Sequence, residues 1–521
     1  MDRRQFNRWV RASAYSLALM PWVIPARAQN AAERNWKTSP FQLGVASGSP
    51  RHDSVVIWTR LLIDDADRQA SEGDGVAGRF EVYADEALRR PVTRGEWRTD
   101  ASRGHSVHIT LTGLLPARSY WYRFVCGDAV STVGRTQTAP SPDADVGRLR
   151  LALASCQHYE HGIYAAHRDL SQQDIDLVVF VGDYIYESSN PRNRVRAHRG
   201  PEPKTLGAYR DHYAQYKSDP DLQAAHAAHP WVLMWDDHEV VNDYANQTDP
   251  AYTDPAVFLA RRAAAYQAYF EHQPLRLGPD PDSPYKASMH LHHRLPWGRL
   301  ADLWTLDCRQ YRDPQACPDP GKGGGRVVLQ CAELAQPQRS MLGAEQEQWL
   351  YQGLAQSRRQ WKLLAQSTLI GSSRVETPMG KTTYTDGWDG YPLARRRLMN
   401  CIAENQISDV VTLGGDVHMN VAGLLRQEPN DTSLPVIASE FVTTSISSRG
   451  RSESLIAAVR NSNPDLLHAR TDERGYTLCE FTPKQCLTEF RTTPSPAGIR
   501  DTFKVQARYG VETGRPGPQP A

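Results

Sequence analysis

The sequence predicts an α/β protein in which a layered sheet-and-helix domain follows a small all-β sandwich. Two changes of texture predict this. Over residues 38–139, short stretches of period two, at 54–58, 79–83 and 105–109, are split by turn residues, the pattern of a small antiparallel sandwich. Residues 140–143, Pro-Ser-Pro-Asp, read as a linker; beyond them, apolar runs alternate with helical patterns, as buried strands of an α/β layer do. Length agrees, because 521 residues exceed what one hydrophobic core holds.

Residues 1–28 read as an export address. Arg3-Arg4-Gln5-Phe6 opens it, a weakly polar segment covers 12–25, and Ala26-Arg27-Ala28 offers a small-residue cleavage site. The segment resembles a twin-arginine signal, which implies the twin-arginine export machinery as a partner, a periplasmic or secreted location and a mature chain that begins near Gln29. The apolar stretch is short and broken by Pro21, so no stable membrane span is expected after processing. Residues 1–28 hold five Arg and one Asp, a net +4; subtracted from the whole-chain +1, this leaves the remainder near −3. That balance argues against nucleic-acid binding. With 40% hydrophobic residues, 23% charged residues and a mean hydropathy of −0.57, the composition is that of an ordinary globular protein and excludes disordered and fibrous classes.

Within the sandwich, residues 114–123 look like the closing strands of a fibronectin type III-like domain. The larger domain covers 145–495, its clearest strands at 149–154, 177–181, 231–235 and 410–413. Segments 279–286 and 321–325 read as surface excursions, and 496–521 as a C-terminal tail. Among the cysteines, Cys317 and Cys331 flank the Gly-rich loop 321–325, where a disulfide would restrain the loop. Cys479 and Cys486 flank the Thr482-Pro483 turn of a hairpin, but cross-strand register is not legible in sequence.

Each of the four strands ends in residues that bind metals. The first runs into Ser155-Cys156-Gln157-His158 and the second into Gly182-Asp183-Tyr184-Ile185-Tyr186-Glu187. The third runs into Asp236-Asp237-His238-Glu239, followed by Asn242, and the fourth into Gly414-Gly415-Asp416-Val417-His418. The carboxyl ends of neighbouring strands in an open α/β sheet face one crevice, so these groups are expected to meet there. Several buried carboxylates repel one another unless cations compensate them, and metal ions are the simplest compensation. Singly, each piece has a plainer reading: Gly-Asp as a turn, Asp-His-Glu as a helix start, Cys156 as a small buried hydrophobe. Four in chain order, each after an apolar strand, favour a site. Asp386, in Asp386-Gly387-Trp388-Asp389-Gly390-Tyr391, is left outside it, and the histidines from His198 to His229 read as surface or supporting residues.

The order Gly182-Asp183, Asp237-His238-Glu239, Gly415-Asp416-Val417-His418 resembles the signature of the calcineurin-like metallophosphoesterase superfamily. That superfamily usually has Gly-Asn where Asp236-Asp237 stands and a histidine where Asp416 stands. These departures resemble the PhoD-like alkaline phosphatase and phosphodiesterase branch, as do residues 41–48 (FQLGVASG), 235–239 (WDDHE) and 440–447 (EFVTTSIS). The resemblance implies a metallophosphoesterase-type catalytic domain that hydrolyses phosphate esters. It also implies Fe3+ beside one or two Ca2+. Cys156, Asp183 and Tyr186 fall where the family has ferric ligands; Asp416, Asp237 and Asn242 suit a hard cation such as calcium, and His418 suits either. Tyrosinate at this spacing from an aspartate also occurs in purple acid phosphatases. Cations neutralise the phosphate oxygens and supply metal-bound hydroxide as nucleophile, and His238 is placed to stabilise the transferring group or protonate the leaving oxygen. No Ser or Thr stands in a phosphoenzyme setting, so no covalent intermediate is expected. The expected role is phosphate scavenging by mono- or diester hydrolysis. A phospholipase D-like diesterase and an inactive envelope-binding protein are the alternatives.

Overall fold

The computed structural model describes residues 35–64, 75–276, 289–494 and 502–521. The expected signal at 1–28 and the excursion at 279–286 lie outside the described residues.

Two large sheets are packed face to face and covered by helices. The ten-stranded sheet is parallel at its centre, where Leu149–Ala154, Leu177–Val181 and Pro230–Met234 lie side by side. The seven-stranded sheet is centred on Ala301–Thr305, Trp361–Ala365, Val410–Gly414 and Ala438–Val442, again parallel. These strands are uniformly apolar because both of their faces are covered. Leu151, Leu153, Val179 and Met234 meet Leu303, Leu363, Val411, Leu413 and Phe441 between the sheets. The outer face of the first sheet, with Val178, Phe180 and Trp231, packs on helices Leu206–Lys217 and Pro255–His272, which supply Tyr209, Tyr213, Tyr266 and Tyr269. The outer face of the second carries helices Ala344–Gln356 and Pro392–Glu404. The helices on the first face start at sequence-encoded caps: Thr205 accepts from Ala208 N, and Asp219 and Asp254 each precede a proline at the first helical position. Among the described residues no helix is long and apolar enough to cross a membrane.

Two expectations from the sequence need correction. Residues 38–139 do form two packed layers, but one layer is not theirs alone. Strands Val76–Tyr83, Pro91–Thr99, Ser119–Cys126, Ala129–Val130 and Gly134–Gln137 make a separate sheet, whereas Val45–Gly48, Val55–Arg60 and Ser106–Leu111 complete the ten-stranded one. Ser47 pairs in parallel with Pro230. The reason is visible in Val55–Arg60, buried at all six positions: Val55 and Ile57 enter the sandwich core, while Trp58 faces the helices and donates from its indole to Glu271 O at 3.0 Å. The expected tail at 496–521 likewise belongs to the sheet. Lys504–Glu512 pairs antiparallel with Gln485–Thr493, burying Tyr509 and Val511 between the sheets, and Gln519–Pro520 closes that edge.

Cys317 and Cys331 are joined as a disulfide, whereas Cys479 and Cys486 are free. Cys479 pairs across the hairpin with Thr488, and Cys486 with Phe481.

Trp58→Ala opens a large cavity where the first 139 residues meet the rest. It is expected to cost about 3–5 kcal/mol of stability, read as a lowered urea midpoint of one cooperative transition. A folding unit independent of the catalytic strands would instead unfold in a separate step.

Candidate metal centre

The four strand ends converge as the sequence implies, and each turns sharply to do so. Cys156, Asp183, Asp416 and His418 all have left-handed backbones, with φ between 53° and 62°. For residues with side chains this conformation costs energy and is held only where the surroundings enforce it, which is characteristic of functional sites. Gly182 allows the approach: at φ 109°, an added Cβ would lie 2.6 Å from Asp236 Cβ. Glu239 ties two of the turns together, accepting from Asp183 N at 3.1 Å, Tyr184 N at 2.6 Å and Asp236 N at 2.9 Å. The 440–448 segment holds the Cys156 turn: Ser448 Oγ donates to Cys156 O at 2.8 Å, Ser447 Oγ to His158 O at 2.9 Å and Ile446 N to Ser155 O at 2.9 Å.

Tyr186 Oη donates to Asp183 Oδ2 at 2.8 Å and lies 3.1 Å from His418 Nε2. Cys156 Sγ donates to the same Asp183 oxygen at 3.4 Å, and the other oxygen, Oδ1, is buried without a partner. His418 is oriented by its Nδ1, 2.6 Å from Arg449 O. Four groups of side chains bring their ligand atoms within 4.8 Å of one another. They are Cys156, Asp183 and His418; Asp183, Asp237 and His238; Asp183, Asp236 and Asp416; and Asp237, Asp243 and Asp386. Asp183 belongs to three of them, so it is the natural bridge.

His238 stacks on Tyr186 with ring centroids 4.1 Å apart and places Nδ1 2.6 Å from Glu187 Oε2. Burial works against its proton, but Glu187, Asp183 and Asp237 outweigh burial and raise the proton affinity of the imidazole. Asn242 is exposed, and its tie to the centre is its backbone N–H, which donates to Glu187 Oε1 at 2.9 Å. The neighbouring Asp243 supplies the carboxylate. His158, His161 and His198 form a stack beside Tyr186.

The sequence reading missed one component of the electrostatics. Arg309, 1% exposed, reaches Asp236 Oδ1 at 2.5 Å, Asp237 Oδ2 at 3.3 Å and both oxygens of Asp386 at 2.9 Å. Arg312 lies 3.3 Å from Asp386, and Gln315 Nε2 donates to it at 2.7 Å. Compensation of the buried carboxylates is therefore partly internal, and Asp386 belongs to the centre after all. Among the described residues, Asp183, Asp243 and Asp416 have no guanidinium of their own. Burial, reinforced by the neighbouring carboxylates, pushes Asp416 up to about 8 and Asp243 up to about 7, and Asp183 well above its usual range. Loop 321–325 is no mere excursion either, since Gly325 N donates to Asp243 Oδ2 at 2.9 Å. No periodicity singles out Arg309, Asp243 or Asp386; the signal was the run of charge in residues 307–313 (DCRQYRD) beside an apolar strand.

The donor set fits metal ions. Thiol, phenol, imidazole and carboxylate gather around Asp183, whereas oxygen donors alone gather around Asp237, Asp243 and Asp386. The unpartnered Asp183 Oδ1 and the elevated carboxylates mark where positive charge is missing.

Paired sheets with such a donor set at their parallel strand ends define a metallophosphoesterase-type hydrolase. The PhoD-like phosphatase model matches residues 151–490, and the PhoD-like phosphatase N-terminal domain model matches 26–140. The chain belongs to the PhoD-like phosphatase family and is a phosphate-ester hydrolase. It is 41% identical over 503 residues to alkaline phosphatase D of Bacillus subtilis (strain 168), covering 95% of this chain and 84% of that protein. A solved structure of PhoD matches with a TM-score of 0.87 at 39% identity, over 94% of this chain and 93% of that one. A purple acid phosphatase from yellow lupin seeds shares the fold at 12% identity, with a TM-score of 0.54 over 90% of this chain and 74% of that one.

Arg309→Leu leaves three buried carboxylates without their counter-charge and is expected to cost about 3–5 kcal/mol in urea unfolding. Arg309→Lys keeps the charge but loses the fork, so it should fall between the two. Equal stability of all three proteins would remove Arg309 from this role.

Proposed function

We propose that this chain is an exported alkaline phosphatase with phosphomonoesterase and phosphodiesterase activity, used to recover phosphate outside the cytoplasm. A ferric ion is held by Cys156, Asp183, Tyr186 and His418, and calcium by Asp237, Asp243, Asp386 and Asp416. The observation that carries this reading is the contact of Tyr186 Oη with Asp183 Oδ2 and His418 Nε2, with Cys156 Sγ on the same carboxylate. A phenol and a thiol sharing one carboxylate are suited to a strong Lewis acid, whereas the all-oxygen group suits calcium.

Bound cations supply neutralisation of the phosphate oxygens and acidification of water. The protein's part is positioning and proton transfer. His238 is partly buried, and Glu187 at its Nδ1 raises its proton affinity, so it is suited to donate to a leaving alkoxide or to bind a phosphoryl oxygen. Arg309 is saturated by three carboxylates and fully buried, so it acts on the ligands rather than on substrate. Thr368 Oγ1 donates to Asp416 Oδ2 at 2.7 Å and leaves the other oxygen for a cation.

The metal-replete protein is expected to release nitrophenol from p-nitrophenyl phosphate and bis(p-nitrophenyl) phosphate, to stop after chelation, and to be visibly coloured by charge transfer from Tyr186. Tyr186→Phe keeps the ring on His238 and should bleach or shift the band while cutting turnover about tenfold or more. A colourless, iron-free protein with full activity would remove iron from the proposal.

Arg3→Lys with Arg4→Lys should retain the precursor in the cytoplasm, followed by fractionation and immunoblotting. Normal export of the double variant would show that another route is used.

A further inference from the structure

We infer that the arginines along one rim of the metal centre form a second anion subsite, selecting diesters that carry another phosphate beyond the scissile one. The inference rests on the phosphoesterase reading above and adds a substrate class to it.

Residues 188–204 form a non-helical loop fixed to the centre from both sides. On one side Glu160, itself buried, accepts from Ser189 Oγ, Asn190 N and His198 N at 2.7 to 3.1 Å. On the other side Arg449 clamps the carbonyls of Arg192 and Asn193 with its guanidinium, while its own carbonyl contacts His418 Nδ1. One arginine residue therefore links the loop to a proposed metal ligand.

The positive charge on this rim is uncommitted. Arg196 is used up by Asp219 and by its stacking over Tyr159, and Glu202 is used up by Arg261. Arg192, Arg194 and Arg199 on the loop and Arg451 beyond Arg449 are exposed, and among the described residues none of them makes an ion pair. Arg451 stands two residues beyond Arg449, the residue that clamps the loop. Four exposed arginines on, or two residues beyond, segments tied to a centre that must itself bind phosphate supply positive charge beside it, and guanidinium geometry matches phosphate bidentately. A membrane surface is the weaker occupant, because the only large apolar side chain the loop exposes is Val195.

The test compares p-nitrophenyl thymidine 5′-phosphate with and without a 3′-phosphate, so that both release the same nitrophenol and differ only in the distal anion. The wild-type protein should favour the 3′-phosphorylated diester in kcat/KM by about tenfold, a preference that shrinks in 0.5 M salt as screening predicts. The combined Arg192→Ser, Arg194→Ser and Arg451→Ser variant should bring the ratio close to one. Arg94→Ser, which removes the same charge from the N-terminal sheet, should leave the ratio where it is. A wild-type ratio near one, or a ratio that survives the triple substitution, overturns the subsite while the hydrolase reading stands. Failure to turn over either diester sinks the hydrolase reading, and the subsite falls with it. If the triple variant loses binding to phosphatidylglycerol vesicles while keeping the diester preference, the rim serves a membrane instead and the inference is wrong.

Discussion

The fold around the metal centre depends on how one buried guanidinium is shared among carboxylates. Arg309 follows the strand Ala301–Thr305 of the seven-stranded sheet, whereas two of its three partners, Asp236 and Asp237, follow Pro230–Met234 of the ten-stranded sheet. The ion pairs thus cross between the sheets, and neither sheet can present its half of the centre alone. A buried charge network of this kind is weak evidence for stability, but it is strong evidence for geometry: removing any member strands another in a low-dielectric interior. Arg309 satisfies only part of the negative charge, and the carboxylates it does not reach are Asp183, Asp243 and Asp416. The protein fixes its scaffold with its own cation and leaves the remaining charge for ions it must bind.

The second constraint is conformational. Bringing Cys156, Asp183, Asp416 and His418 within reach of one another requires left-handed turns at each of them. The Asp183 and Cys156 turns persist because their backbone polar groups are held from outside, the amides of the first by Glu239 and the carbonyls of the second by Ser447, Ser448 and Ile446. This gives physical content to the Glu of Asp237-His238-Glu239 and to the stretch 440–448, neither of which contributes to the four ligand groups. Their role is to aim the residues that do.

How much of this was legible in the sequence follows from the range of each interaction. Apolar runs ending in polar residues identify the four strands and most of the donor set, because a strand and its C-terminal turn are contiguous in the chain. Arg309, Asp243 and Asp386 were not legible as a group. Arg309 lies 72 to 77 positions from Asp236, Asp237 and Asp386, and Asp243 and Asp386 stand on loops without a period, so only the crossing of the two sheets brings them together. Asn242, read from the sequence with the hard-cation ligands, is tied to this region by its backbone N–H, which donates to Glu187, and the neighbouring Asp243 brings a carboxylate to Asp237 and Asp386. The N-terminal strands were read as an independent sandwich because period two speaks for one buried face. Val55–Arg60 is buried on both, which composition conceals when Trp58 and Arg60 occupy the second face with Val56. The C-terminal strand was concealed by its turn, rich in Gly and Pro, which serves to fold Gln519–Pro520 back onto Lys504–Glu512.

That sharing of a sheet also connects the first 139 residues to the chemistry. Lys217, at the end of helix Leu206–Lys217, is 1% exposed and has no carboxylate partner among the described residues; burial lowers its proton affinity, and its Nζ sits 4.4 Å from the ring centre of Trp58 and 3.2 Å from His226 Nε2. His226 Nε2 lies 2.7 Å from Tyr184 Oη, and Tyr184 N donates to Glu239, the clamp of the Asp183 turn. A chain of packed polar contacts therefore runs from an N-terminal strand to the residue that bridges three of the four ligand groups. These contacts are fully buried, in a close-packed core that deforms little. The N-terminal segment supplies no ligand to these groups, yet it forms one wall of the scaffold that keeps the ligands in their strained positions.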